Sequence, residues 1–258
     1  MSDIALEADY HTHTIYSHGR GTIEDNVRVA IRRGLKRLAV TDHGFAQPLM
    51  GLTGEKFLQM RAIVDGLNRK YQGQIEVLLG VEANVVSMDG RIDVPERYLD
   101  KLDILNLGLH RMVLSTSPSY LRRVEWGTSL SKIVRRLRHS VAQAGTEALC
   151  NALRRYSIDI LTHPGYHFPI VMETLARAAV ENGAVIEINS SHKMPTVDNL
   201  RVALDQGAWF AIGSDAHKPS RVGDFAPGLA LAAQAGVPAS RVINAVGSGF
   251  VLKRRRTP

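Results

Sequence analysis

Seven short apolar runs, separated by segments of helical period, constrain the fold of this chain more than any other feature. They lie near 4–10 and at 38–41 (LAVT), 75–81 (IEVLLGV), 102–109 (LDILNLGL), 158–162 (IDILT), 184–189 (AVIEIN) and 208–213 (AWFAIG). Each is close to continuously hydrophobic, the pattern of strands buried on both faces. Between them, Thr22 with Asp25 three residues on reads as a capped helix start. Val27, Ala30 and Ile31 supply one apolar face and Gly34 a stop. Phe57, Met60, Ile63, Val64 and Leu67 repeat at helical spacing, and further helical segments fall around 169–182, 197–206 and 227–247. Strand–helix alternation implies parallel strands joined by right-handed crossovers. An open doubly wound sheet satisfies the same order, but no run leads into a Gly-rich nucleotide turn. The expectation is an α/β fold, a closed or nearly closed seven-stranded barrel in one domain spanning 1–258. One stretch departs from the alternation: residues 111–157 are Arg-rich, mostly helical in pattern and longer than one crossover needs, and read as a helical insertion.

The polar residues keep phase with these strands. His11 and His13 end the first, Asp42 and His43 the second, Glu82 the third, His110 the fourth and His163 the fifth, and Asp215 and His217 follow the seventh. Six of seven strands thus deliver His, Asp or Glu to one rim, and in parallel barrels chemistry collects at the C-terminal ends of the strands. Strand side chains repeat every two residues, so His11 and His13 share a face, as do Asp215 and His217 where the strand stays extended. Imidazole with carboxylate suits zinc, manganese or iron. Seven histidines, counting His18, and two acids exceed the needs of one tetrahedral ion, which leads to two or three divalent transition-metal ions, zinc foremost. Glu82 is placed to bridge two of them. Asp9 and Asp42 read as groups that orient histidines.

Composition adds bounds. At 258 residues and 45% hydrophobic, the chain can bury a sizeable core. Lys and Arg exceed Asp and Glu by 32 to 25, and a net +7 favours anionic partners. A single cysteine, Cys150, excludes an intrachain disulfide and fits a reducing compartment. No signal-peptide pattern opens the chain and no apolar stretch nears the roughly 18 residues that span a membrane. A cytoplasmic protein without membrane association is expected.

The segments DYHTHT, SHGRGT, AVTDHG, GVEAN, LGLH, LTHPG and GSDAH, in this order from residue 9 to 217, resemble the PHP family, named for polymerase and histidinol phosphatase. The resemblance implies a distorted (β/α)7 barrel with a trinuclear metal site at its C-terminal rim. Carried onto this sequence, His11, His13, Glu82 and Asp215 would hold one ion. Glu82 would bridge to a second held with His110 and His163, and His18, His43 and His217 would hold the third. Glu82, Asp215 and His217 are then the residues nearest the chemistry. The implied activity is a metal-dependent phosphatase that cleaves a small phosphomonoester with metal-activated hydroxide. Arg20, Arg111, Lys193 and Lys218, each close to an implied ligand or to the rim, are candidates for holding the phosphate. His192 and His167 are possible pocket-lining residues, while His139 reads as surface. The 111–157 segment, anchored at His110 and ahead of His163, is expected to overhang the site as a lid that selects the substrate.

Two other activities fit parts of the sequence. A nuclease or nucleic-acid-associated phosphodiesterase would use Arg122, Arg123, Lys132, Arg135, Arg136, Arg138 and the basic 253–256 run KRRR. An amidohydrolase-type C–N hydrolase shares the His-x-His after the first strand, but the middle strands offer no metal-bridging lysine.

Overall fold

The computed structural model describes residues 4–250 and 252; the basic 253–256 run lies outside the described residues. Seven strands form one parallel sheet in chain order: β1 (Ala8–Asp9), β2 (Arg37–Val40), β3 (Glu76–Asn84), β4 (Ile104–Gly108), β5 (Ile160–Leu161), β6 (Val185–Asn189) and β7 (Phe210–Gly213). The helices between them are α1 (Ile23–Arg32), α2 (Gly54–Lys70), α3 (Glu96–Leu99), α4 (Pro118–Tyr120), α5 (Gly127–Ser131), α6 (Arg138–Arg155), α7 (Met172–Glu181), α8 (Val197–Asp205) and α9 (Ala226–Ala235). Thr22 caps α1 in a reciprocal capping box with Asp25, as its sequence spacing suggests.

Two apolar layers build the barrel. The larger packs the outward strand residues against the helices, with Leu38, Val40, Leu79, Leu105 and Ile186 meeting Val27, Phe57, Met60 and Leu175. The smaller fills the interior with one residue from every strand: Ala8, Ala39, Leu78, Ile104, Ile160, Val185 and Ala211. These residues set the inward phase. Two or four positions further along the same strands, the inward residues turn polar: His43, Glu82, Asn106, Glu187, Asn189 and Asp215. An apolar floor thus supports a polar storey at the C-terminal end.

The barrel closes through an irregular seam. At the C-terminal end, Thr12 bridges Ala216 in parallel, and the His13 N–H donates to the Ala216 carbonyl at 2.9 Å. At the other end, residues 242–246 lie between β7 and β1. The Ile243 N–H donates to the Phe210 carbonyl, Glu7 N–H to Asn244, and Val246 N–H to Ala5. The Asn244 side chain completes the ladder. Its amide donates to the Ala8 and Ile212 carbonyls at 2.8 and 2.9 Å and its oxygen accepts from the Ile212 N–H at 3.0 Å. This corrects the helical expectation for 227–247. The helix stops at Ala235 because Gly236, in the left-handed region at φ +76°, ends it, and Pro238 follows.

The 111–157 segment divides into two parts. Ten residues of α6 are buried, six of them in the main core, so α6 is the crossover helix between β4 and β5. The part outside the β/α alternation is 111–137: α4, a π-helical stretch at Leu121–Trp126, α5 and a 3-10 turn. Buried Tyr120 and Val124 anchor it.

Asn244→Ala strands three buried backbone groups at the seam. Each unsatisfied group costs about 1–3 kcal/mol, so urea unfolding should report a loss of at least about 3 kcal/mol. A loss under about 1 kcal/mol would mean that the seam is held without this side chain.

Candidate metal centre

The Glu82 carboxylate, buried in β3, is the focus of the rim. One oxygen lies 2.9 Å from His163 Nε2, 3.3 Å from His110 Nε2 and 3.4 Å from His11 Nε2. The other lies 2.9 Å from His43 Nδ1 and 3.6 Å from His13 Nε2, and neither approach has hydrogen-bond geometry. Asp215, in the left-handed region at φ +50°, sits across the cluster, its oxygens 3.3 Å from His13 and 3.2 Å from His192. His163 also takes a left-handed backbone at φ +28°. Such strain concentrates where side chains are aimed by function.

Nitrogens and carboxylate oxygens converge in four overlapping groups: His11, Glu82 and His163; His11, His13 and Asp215; His43, Glu82 and His110; and His13, His43 and His217. The chemistry of this donor set fits a metal. His11 Nε2 and His13 Nε2 are 3.1 Å apart, close to the roughly 3.3 Å edge of a tetrahedron of nitrogens about 2.0 Å from zinc. Among the described residues, buried His13 Nδ1, Glu82 Oε2 and Asp215 Oδ1 have no hydrogen-bond partner. A buried polar atom left so costs stability unless a ligand satisfies it. His18, the remaining histidine of the rim, is in none of the four groups, although its ring stacks on His43 at 4.8 Å and contacts His217 at 4.2 Å.

Protonation favours the same chemistry. Burial opposes ionisation of Glu82, but the imidazoles of His110 and His11 outweigh it and hold its pKa well below the usual range. For Asp215 burial is likewise overcome, chiefly by His11 and His13. Burial and then His43 keep His13 neutral, and burial with His217 lowers His18 to about 4. Ionised carboxylates and neutral imidazoles are the forms that ligate metals. His11 is the exception: burial lowers its pKa, but Glu187, Glu82 and Asp215 together raise it well above normal. Three carboxylates around one buried ring make a place that wants a cation.

Glu187 is the residue that sequence reasoning missed, since β6 was the strand with no assigned group. One oxygen accepts from His11 Nδ1–H at 2.7 Å, while the other accepts from the His163 N–H at 2.8 Å and the Asn189 amide at 3.0 Å. It thereby fixes two rim histidines at once. Its inward phase, two residues beyond Val185, was the available signal. Gly213 makes room for it, because a Cβ there would fall 2.2 Å from its Oε1. Asn84 does the same for His110, whose Nδ1 lies 2.7 Å from its Oδ1. Asp9 and Asp42, read as orienting histidine rings, instead hold backbone. Asp42 accepts from Thr14 and Ser17, fixing the loop before His18. Asp9 accepts from the N–H groups of His11, Ser214 and Gly223.

Above the cluster opens a cavity of about 530 Å³, within the range of small-molecule sites. Arg20 and Arg111 line it, together with Gln47, Met50, Tyr166, His167 and His192. The Arg111 guanidinium is steadied by Ser129 at 2.8 Å. His192 is thus at the site: its ring stacks on Tyr166 at 3.7 Å. Lys218 lines an adjoining cavity instead, and exposed Lys193 lines neither.

Known proteins resemble this chain in sequence and in fold. The PHP domain family model matches residues 9–191. A curated "Probable phosphatase" of Caldanaerobacter subterraneus subsp. tengcongensis is 34% identical over 251 residues, 93% of this chain and 88% of that protein. One of Aeromonas hydrophila is 31% identical over 91% and 88%. The fold matches a histidinol phosphate phosphatase of Lactococcus lactis, crystallised with zinc, L-histidinol and phosphate, at a TM-score of 0.58 and 16% identity over 90% of this chain and 94% of that one. A second match, described as a histidinol phosphatase of Listeria monocytogenes, has a TM-score of 0.61 at 13% identity over 84% and 97%. At these identities the two structures speak for the fold alone. Among the described residues, no helix is long and apolar enough to cross a membrane.

Glu187→Ala should free the His11 ring and weaken uptake of zinc or manganese by about 10–100-fold, the usual cost of losing a group behind a metal ligand. Calorimetric titration of the apoprotein checks this, and unchanged affinity would reduce Glu187 to a structural residue.

Proposed function

The chain belongs to the PHP family and is a metal-dependent phosphoesterase of the phosphatase type, and from that premise we propose that it hydrolyses a small phosphomonoester at the cluster around Glu82. The observation that carries this reading is one buried carboxylate shared by five converging imidazoles beneath a cavity lined by two arginines. Two or three divalent ions, zinc foremost and manganese or iron as alternatives, would be held by His11, His13, His18, His43, Glu82, His110, His163, Asp215 and His217. When bound, such ions supply Lewis acidity toward phosphoryl oxygens and activate water near neutral pH. Glu82 and Asp215 provide the negative charge that retains them. Glu187 and Asn84 keep the His11 and His110 rings aimed inward. Arg20 and Arg111 face the cavity from opposite loops and bind the non-reacting phosphoryl oxygens, where guanidinium geometry favours paired contacts. Their charge also draws dianionic esters to a rim that the net +7 of the chain already favours. Tyr166, stacked on His192 and in tilted contact with His167, forms a wall for the leaving group.

The basic residues first read as a nucleic-acid surface are partly spent within the 111–155 region. Arg123 pairs with Glu147 at 2.9 Å and Arg138 bonds the Ser131 carbonyl. That favours the small ester over the phosphodiester reading.

Metal-loaded protein should release phosphate from 4-nitrophenyl phosphate far faster than it cleaves bis(4-nitrophenyl) phosphate, and chelation should abolish both. Glu82→Ala should lose more activity than Asp9→Ala, which removes only backbone contacts behind the rim. Near-normal turnover and metal content in Glu82→Ala would remove the shared-carboxylate assignment. Chelation should also lower the unfolding temperature, since ions at about 100 times their Kd add about 2.7 kcal/mol to the folded state.

A further inference from the structure

The active cavity does not end at His217. A second cavity of about 470 Å³ shares Arg20, Asp215 and His217 with it and continues outward between Ser191, Lys218 and Arg221. Three cations therefore face one space, and its single carboxylate, Asp215, is already turned into the metal cluster. Arg221 pairs with Asp224 at 2.6 Å, but among the described residues Arg20 and Lys218 have no carboxylate partner. Arg20 and Lys218 thus add positive charge to this space without a counter-charge of their own, and a bound anion relieves the repulsion among the three cations.

The backbone that carries the cations is also held in place. The Arg20 N–H donates to the His217 carbonyl at 2.9 Å, joining the loop after β1 to the loop after β7. Gly21 rests directly on Pro219, where a Cβ would come within 2.3 Å of the ring. The Arg221 N–H donates to the Lys218 carbonyl, Arg33 bonds the Ser220 carbonyl, and Gly223 is tied to Asp9 inside the barrel. The loop bearing Lys218 and Arg221 is thus braced on both sides, as a recognition surface requires.

We infer that this second cavity is an anion subsite, so that the substrate is a phosphomonoester bearing a second anionic group, a phosphate or a carboxylate, a few bonds from the phosphate that is cleaved. The inference rests on the phosphatase reading above. Arg20, on the border of the two cavities, serves both groups, while Lys218 and Arg221 meet only the second.

The test compares three matched esters on metal-loaded full-length protein: the monophosphate of propane-1,3-diol, its bisphosphate, and the phosphate ester of 3-hydroxypropanoate. Either doubly anionic ester should exceed the monophosphate in kcat/KM by at least about tenfold, through KM, the scale of one charge-assisted hydrogen bond. Whichever is preferred identifies the second group as phosphate or carboxylate. Lys218→Ala combined with Arg221→Ala should bring that ratio close to one. Arg177→Ala, a charge removed from distant α7, should leave it as it was. Equal kcat/KM for all three esters in the wild type, or a ratio that survives the double substitution, would overturn the subsite. Absence of phosphate release from these esters and from 4-nitrophenyl phosphate would instead remove the phosphatase reading, and the subsite with it.

Discussion

A single carboxylate, buried on β3 and surrounded by five imidazoles from four other segments, is the constraint on which the rest of this structure depends. Glu82 is fully enclosed, and among the described residues no lysine or arginine pairs with it. An isolated carboxylate in that position would cost several kcal/mol and would protonate. Here it stays ionised because the imidazoles of His110 and His11 outweigh its burial, while His13, His43 and His163 also approach it from strand ends that the parallel barrel gathers on one rim. The parallel order β1 to β7 puts every strand's C-terminal end on one rim, and the apolar floor fixes which residues point inward. Any slip by one residue would turn the floor outward and send Glu82 into the helix layer.

The site separates two electrostatic regions. Inside, Glu82, Asp215 and Glu187 concentrate negative charge on buried positions, which suits cations. Outside, Arg20, Arg111, Lys218 and Arg221 make the mouth positive, which suits a phosphate ester. Neither region would persist without the groups that hold backbone rather than ligand. Asp42 pins the loop after His13, Asp9 ties together the segments after β1 and β7, and Asn244 closes the barrel below them. These three polar side chains are fully buried, and each satisfies backbone groups that the ladder leaves open.

Much of this was legible in the linear order. The apolar runs located all seven strands to within a few residues, because a strand buried on both faces leaves a continuous hydrophobic signature. The rim histidines and acids stood at the ends of those runs. What was misread shares a cause. Glu187 lies inside the run AVIEIN, where an acid looks like an interruption and not a group aimed at His11 from across the barrel. The stretch 242–246 has no strand or helix signature of its own, since Asn244 supplies through its side chain what a regular ladder supplies through backbone. The Arg-rich segment looked wholly inserted because α6 carries both the core face of a crossover helix and exposed arginines. Lys193 and Lys218 appeared equivalent by nearness to the rim, yet one is exposed outside both cavities and the other borders the second one.

The sequence by itself determined the alternation of strands and helices, the parallel barrel that follows, and a set of imidazoles and carboxylates at the strand ends. These are local properties: hydrophobic period, capping residues and position relative to a strand's end are all written within a few residues. Only the tertiary structure decided which of these groups meet, that Glu82 stands at their centre, that Glu187 and Asn84 aim the rings, and that the cationic mouth extends beyond His217. Those relations join residues as far apart as Asp9 and Gly223 or His11 and Glu187. They depend on barrel closure and strand stagger, which place distant segments side by side and leave no local pattern in the chain.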